Sequence, residues 1–227
     1  MSKEDMDMTG KPVKDLYGTS IGKVVGTITD IEGTIQTVGV DCGWKGLEQI
    51  PYEHLVFQND VVIYIPEWRL EAQRLLREKG LTLSRMKALL DIEAANDEMK
   101  EDAGLINEKY KEKLHSIEEK EKKVIEQLDA RRKELEEKVK SIMVLVFDAK
   151  VQYKSNETSE GRYESVKVQA AAMMEPIEHE KSEISNIERR IEDLSLESVA
   201  PPQTTKEKIQ NSAVSYLNQE PTTDSTP

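Results

Sequence analysis

The stretch LHSIEEKEKKVIEQLDARRKELEEKVKSIMVL, residues 114–145, decides how this chain folds. Alternating steps of three and four place Leu114, Ile117, Glu121, Val124, Leu128, Arg131, Leu135, Lys138, Ile142 and Leu145 on one stripe of a helix. Seven of these ten are apolar, and so long a stripe has to leave water against another helix. We therefore expect Leu114, Ile117, Val124, Leu128, Leu135, Ile142 and Leu145 to carry self-association through a coiled coil. Glu121, Arg131 and Lys138 interrupt the stripe where a tight dimer would use Leu or Ile. Such residues weaken a seam but fix its register, or select a partner of opposite charge.

Outward from this stretch, residues 67–154 read as one long helix interrupted near Gly80. Its first part, Glu67 to Lys79, has Trp68, Leu70, Leu75 and Leu76 as apolar positions. Thr82 or Ser84 is placed to cap the second part, where Met86, Leu89, Leu90 and Ile92 begin a new stripe. Trp68 either packs back on the preceding domain or faces a partner. Residues 155–161, Ser-Asn-Glu-Thr-Ser-Glu-Gly, hold turn formers and end the helix. Residues 162–197 then form a returning helix, with Ile177, Ile184, Ile187, Ile191 and Leu194 as its stripe, which Pro176 kinks or interrupts. Charge supports a hairpin. Residues 109–154 carry 13 Lys/Arg and 10 Asp/Glu, whereas 155–197 carry 5 and 11, so the two arms attract. Ile142 to Phe147 is apolar all round, so the returning arm or another subunit must cover it.

Before the rod, residues 12–66 change to short β-type runs: Val24 to Ile31, Ile35 to Val40 and Val61 to Ile65. Glu32-Gly33 sits between the first two as a tight hairpin turn would. Several short strands in so few residues imply a small closed or nearly closed β-barrel, so the fold class is α+β. Gly18 to Lys23 has a superficial likeness to a phosphate-binding loop, but it is one residue short and Val24 stands where Ser or Thr would hold magnesium. A β-turn before a strand is the reading it supports.

The 227 residues carry a net charge of −12, with 33% charged and 5% aromatic side chains, poor material for one large globular core. A single cysteine, Cys42, fits a reducing cytoplasm. The acidic, polar residues 1–11 read as a disordered leader without a signal peptide. No apolar run nears the roughly 20 residues of a membrane span, so a soluble or peripheral protein is expected. Overall acidity speaks against broad nucleic-acid binding, although the basic middle of the rod leaves DNA or anionic lipid open. No catalytic constellation is found. His54, His115 and His179 lack metal-ligand spacing, Cys42 has no activating neighbour, and no cofactor is implied. An enzyme is not expected. Residues 198–227 are linker-like, apart from an apolar island at 209–217. Ile209, Val214, Tyr216 and Leu217 are its candidate partner-binding residues, docked as an added strand or as a helix.

Pro12-Val13-Lys14-Asp15-Leu16-Tyr17-Gly18, Ile21-Gly22-Lys23-Val24, the turn at Glu32-Gly33, Ile50-Pro51-Tyr52-Glu53-His54-Leu55 and the strand Val61 to Ile65 resemble the PRC-barrel family. That family is a small β-barrel used for interaction or assembly. Head, coiled coil and motif-bearing tail together resemble the CdvA family of archaeal cell-division proteins. The resemblance implies a filament-forming cytoskeletal scaffold at the cytoplasmic face of the membrane at the division site. It implies an ESCRT-III-like partner, CdvB, recruited by a short segment near the C-terminus, a role that only 209–217 fits here. A coiled-coil protein organising DNA and a PRC-barrel assembly adaptor are the competing readings.

Overall fold

Two aspartates set the turns of the N-terminal domain. In both Asp15-Leu16-Tyr17-Gly18-Thr19 and Asp30-Ile31-Glu32-Gly33-Thr34, the aspartate Oδ1 accepts the backbone N–H groups two and four residues on. Its own N–H donates to the threonine carbonyl, 2.9 Å in each case. The glycines take φ of 88° and 78°, where a side chain would be strained. In the computed structural model, which describes residues 8–58, 60–95 and 100–199, these two D-x-x-G-T turns join the first three strands. The turn after β2 therefore spans five residues, wider than the two-residue hairpin expected at Glu32-Gly33. The glycine-rich stretch after Tyr17 is the first turn and the start of a strand.

The domain is a six-stranded sheet of β1 (Pro12–Asp15), β2 (Ser20–Thr29), β3 (Ile35–Asp41), β4 (Leu47–Pro51), β5 (Leu55–Gln58) and β6 (Val61–Tyr64). Their order is β4-β3-β2-β1-β6-β5, with β1 and β6 parallel and the other pairs antiparallel. The two edge strands, β4 and β5, follow each other in sequence through one 3-10 turn, Tyr52–His54. His54 is buried there, and its ring nitrogen lies 3.1 Å from the Ile65 carbonyl, so this histidine serves the fold. Bulges in β2 beside Val25 and Thr29 shift its register. This is why Val24 is buried while Ile28, nominally on the same face, is exposed. Val13, Val24, Val38, Val40, Ile50, Leu55 and Val62 form the core, with Cys42 at its margin.

Three helices follow: α1 (Glu67–Ala95), α2 (Lys100–Lys154) and α3 (Glu160–Val199). Contrary to the sequence expectation, Gly80 does not interrupt α1. Thr82 caps nothing there; its hydroxyl donates back to the Glu78 carbonyl, as threonine does inside a helix. The expected single helix 67–154 is instead two helices that reverse direction between Ala95 and Lys100. Lys79 pairs with Glu121, and the few residues between Ala95 and Lys100 can connect the two helices around that contact only if α1 and α2 run antiparallel. The second reversal falls at the expected turn, where Asn156 adopts φ 62°. Pro176 lies inside a continuous α3. Arg69 reaches Glu183 and Lys79 reaches Ser195, so α3 runs parallel to α1.

Candidate functional site

The α2 stripe is the feature around which function was expected, and most of it is covered by the chain itself. Ile117, Val124, Leu128 and Leu135 lie in one buried cluster with Trp68, Ala72, Leu75 and Leu76 of α1 and Ile184, Ile187 and Ile191 of α3. Trp68 thus belongs to the rod core. Ile142 is buried, Leu114 half-buried and Leu145 56% exposed. Of the seven expected self-association residues, Leu145 is therefore the one left open, and Leu114 lies partly so.

The charged defects find their partners within the chain. Lys79, buried, donates to Glu121 Oε2 at 2.5 Å and to the Ser195 hydroxyl at 2.6 Å. Arg131 grips buried Glu180 with two bonds, Nε at 2.7 Å and Nη2 at 3.0 Å, and holds Glu134 through Nη1. The Glu180 carboxylate is the main reason the guanidinium titrates above its ordinary range. A buried charge without its partner is costly, so the first bridge admits one alignment of the three helices and the second one alignment of α2 with α3. Lys138, the third defect, is exposed. Glu78, against both Lys113 and Lys120, titrates below the ordinary glutamate range because both ammoniums hydrogen-bond its carboxylate.

Glu180 was overlooked in the sequence although a signal was present. Ile177, Glu180, Ile184, Ile187, Ile191 and Leu194 follow steps of three and four without a gap, which puts Glu180 on the buried stripe. Lys79 likewise follows Leu75 and Leu76 at helical spacing. Tyr17 had no such signal. Its hydroxyl donates to Glu183 at 2.5 Å and docks the first turn of the head on α3. Burial, and then the Glu183 carboxylate, push this phenol up. Arg74 on Glu53, at 2.7 Å, adds a second tie. A cleft of about 560 Å³ lies at this junction, between Tyr17 to Thr19 and Arg131, Pro176 and Glu180. Its Asp15, Arg131 and Glu180 already serve the turn and the interhelical bridge.

Beyond the head, the α2/α3 hairpin leaves apolar surface open. Met143, Val144, Leu145 and Phe147 are each more than half exposed, as are Val168 and Met173 on α3. The returning arm covers Ile142 and Ala149 of this segment. A groove of about 380 Å³ runs along it, walled by Glu137, Lys138, Ser141, Ile142, Met173 and Ile177. Such surface marks an interaction site. Ile209, Val214, Tyr216 and Leu217 lie outside the described residues. Among the described residues, no group of three or more His, Cys, Asp or Glu is placed to hold a metal ion. Cys42 is buried, and burial raises its thiol pKa. No helix among the described residues is long and apolar enough to cross a membrane.

Residues 67–213 match the model of the CdvA-like coiled-coil domain. The match begins with α1 and ends inside the apolar island of the tail. The chain is also similar to "Cell division protein A" of Sulfolobus acidocaldarius, 31% identical over 85 residues. That alignment covers 37% of this chain and 34% of the relative, so the chain spans about a third of that protein's length.

Proposed function

Because the chain belongs to the CdvA-like coiled-coil family, we propose that it is a scaffold of archaeal cell division that assembles with itself and recruits an ESCRT-III-like protein. The family match over the rod carries this reading. Under it, the head is a PRC-barrel-type assembly module, and the rod polymerises as a cytoskeletal filament at the cytoplasmic face of the membrane. The tail island at 209–217 binds CdvB. The protein acts by holding partners in place and not by catalysis. The exposed apolar tip of the α2/α3 hairpin supports self-association, since a monomer gains nothing from displaying it. DNA binding through residues 109–154 draws less support. Lys113 and Lys120 face Glu78, Arg131 faces Glu180 and Arg132 faces Glu188, which breaks up the basic stripe that phosphates require.

The test is a pull-down of the C-terminal domain of an ESCRT-III-like partner with the full chain. Wild type is compared with Tyr216→Ala/Leu217→Ala, and self-assembly is followed in parallel by sedimentation. The double variant is expected to lose the partner and keep assembling. Equal capture by both proteins would remove the tail from the recruitment role.

A further inference from the structure

Towards its C-terminal end α2 is apolar on two sides, and α3 covers one of them. Ile142 and Ala149 are buried under the returning arm, while Val144, Phe147 and Val151 are 62%, 69% and 49% exposed. At about 100° per residue, these three stand roughly 140–200° around the helix from Ile142, on its far side. They belong to a second stripe. Glu137, Lys140, Val144, Phe147, Val151 and Lys154 follow steps of three and four without a gap, the spacing of a coiled-coil seam. Every member of the stripe is exposed. Its apolar members are central, and its charges stand at the ends. Glu137 and Lys140 mark one end, 3.8 Å apart. Lys154 marks the other, its ammonium 5.5 Å from the centre of the adjacent Tyr153 ring.

Charge selects what can cover this stripe. A second copy running parallel would set Glu137 against Glu137, Lys140 against Lys140 and Lys154 against Lys154, and like charges repel. A second copy running antiparallel removes that conflict. With Val144 of one copy opposite Phe147 of the other, a two-fold axis passes between residues 145 and 146, and the remaining layers follow. Lys140 lays its aliphatic stem over the second copy's Val151. Glu137 then stands between Lys140 of its own helix and Lys154 of the second copy. Two-fold symmetry makes each layer twice, so no position of the stripe is left over. In the flanks, Met143 falls beside the second copy's Lys150 and Ser141 beside its Asp148, so like charges do not oppose there. We propose that this outer face of α2 is a self-complementary docking surface, on which a second copy of the chain packs antiparallel over residues 137–154. This rests on the self-assembly proposed for the rod and supplies one of its joints. At about 1.5 Å per residue the overlap is about 27 Å long, and the two rods leave it in opposite directions. Because α3 lies on the opposite side of α2, the joint leaves the packing within each chain untouched.

The test is sedimentation velocity of the full chain over a concentration series, wild type against variants of this face. All the replaced side chains are exposed, so each variant should keep wild-type helicity. Val144→Asp/Phe147→Asp should abolish the association. Glu137→Lys alone brings lysines together at both ends of the joint, and Lys154→Glu alone brings acids together. Each should move the association midpoint to a concentration at least about tenfold higher. An equimolar mixture of these two variants should return to the wild-type midpoint, since a mixed pair restores opposite charges at both ends. A wild type whose assembly is indifferent to Val144→Asp/Phe147→Asp would overturn the proposal and leave the scaffold reading to another surface. Single reversals without effect, or a mixture no tighter than either variant alone, would overturn it too. A monomeric wild type would sink the scaffold reading as well. A chain lacking residues 200–227 should associate like wild type; loss of association on that deletion would overturn the proposal and make the tail the cover of this face.

Discussion

Replacing Arg131 by Met should destabilise the rod by about 2–3 kcal/mol at pH 7. The size comes from the charge left behind. Glu180 is 5% exposed and takes two hydrogen bonds from the guanidinium. Removing one partner of a buried pair costs about 3–5 kcal/mol, because the other stays buried and unpaired. Arg131 retains 29% exposure, so water relieves part of this and brings the loss to the bottom of that range or just below it. For a chain of this size the loss lowers Tm by roughly 4–12 °C. Replacing both partners, Arg131→Met with Glu180→Leu, should recover stability to within about 1 kcal/mol of wild type, since an apolar pair leaves nothing unpaired. The assay is urea unfolding followed at 222 nm, run at two protein concentrations to separate folding from self-association. A loss below about 0.5 kcal/mol for Arg131→Met, or a double variant worse than the single one, would refute the assignment of this bridge to the buried seam.

Gly80→Ala should stabilise α1 by about 0.5–1 kcal/mol, because the helix is continuous there and a Cβ would meet nothing within 4 Å. A destabilised variant in thermal unfolding would mean that the helix breaks at this point. Gly22→Ala should disrupt the head, since its Cβ would stand 2.1 Å from the Asp41 carbonyl oxygen. Near-normal protease resistance of the head in that variant would show that the β2–β3 approach is looser than described. Glu78, whose pKa is lowered by Lys113 and Lys120, adds stability above its unfolded pKa, and that contribution fades as pH falls through the folded value. Urea midpoints should therefore drop below about pH 4.5, and Glu78→Gln should flatten that part of the profile.

Sequence alone determined that residues 114–145 form a helix with one buried stripe, that the chain turns back near 155–161, and that a small β-domain precedes the rod. Each follows from local chemistry: heptad spacing, a cluster of turn formers, and glycines placed where φ must be positive. What covers the stripe was decided by the tertiary structure. Steps of three and four say that a face must leave water, but they are the same whether the cover is another copy or another part of the chain. The reversal between Ala95 and Lys100 makes the difference, and the sequence 96–99, Asn-Asp-Glu-Met, has no glycine or proline to announce it. Gly80, which looked like a breaker, is carried through because Leu75, Leu76 and Lys79 before it are fixed by burial, and packing outweighs a glycine's cost of about 1 kcal/mol. The same packing turned Glu121 and Arg131 from apparent defects into the bridges that align three helices.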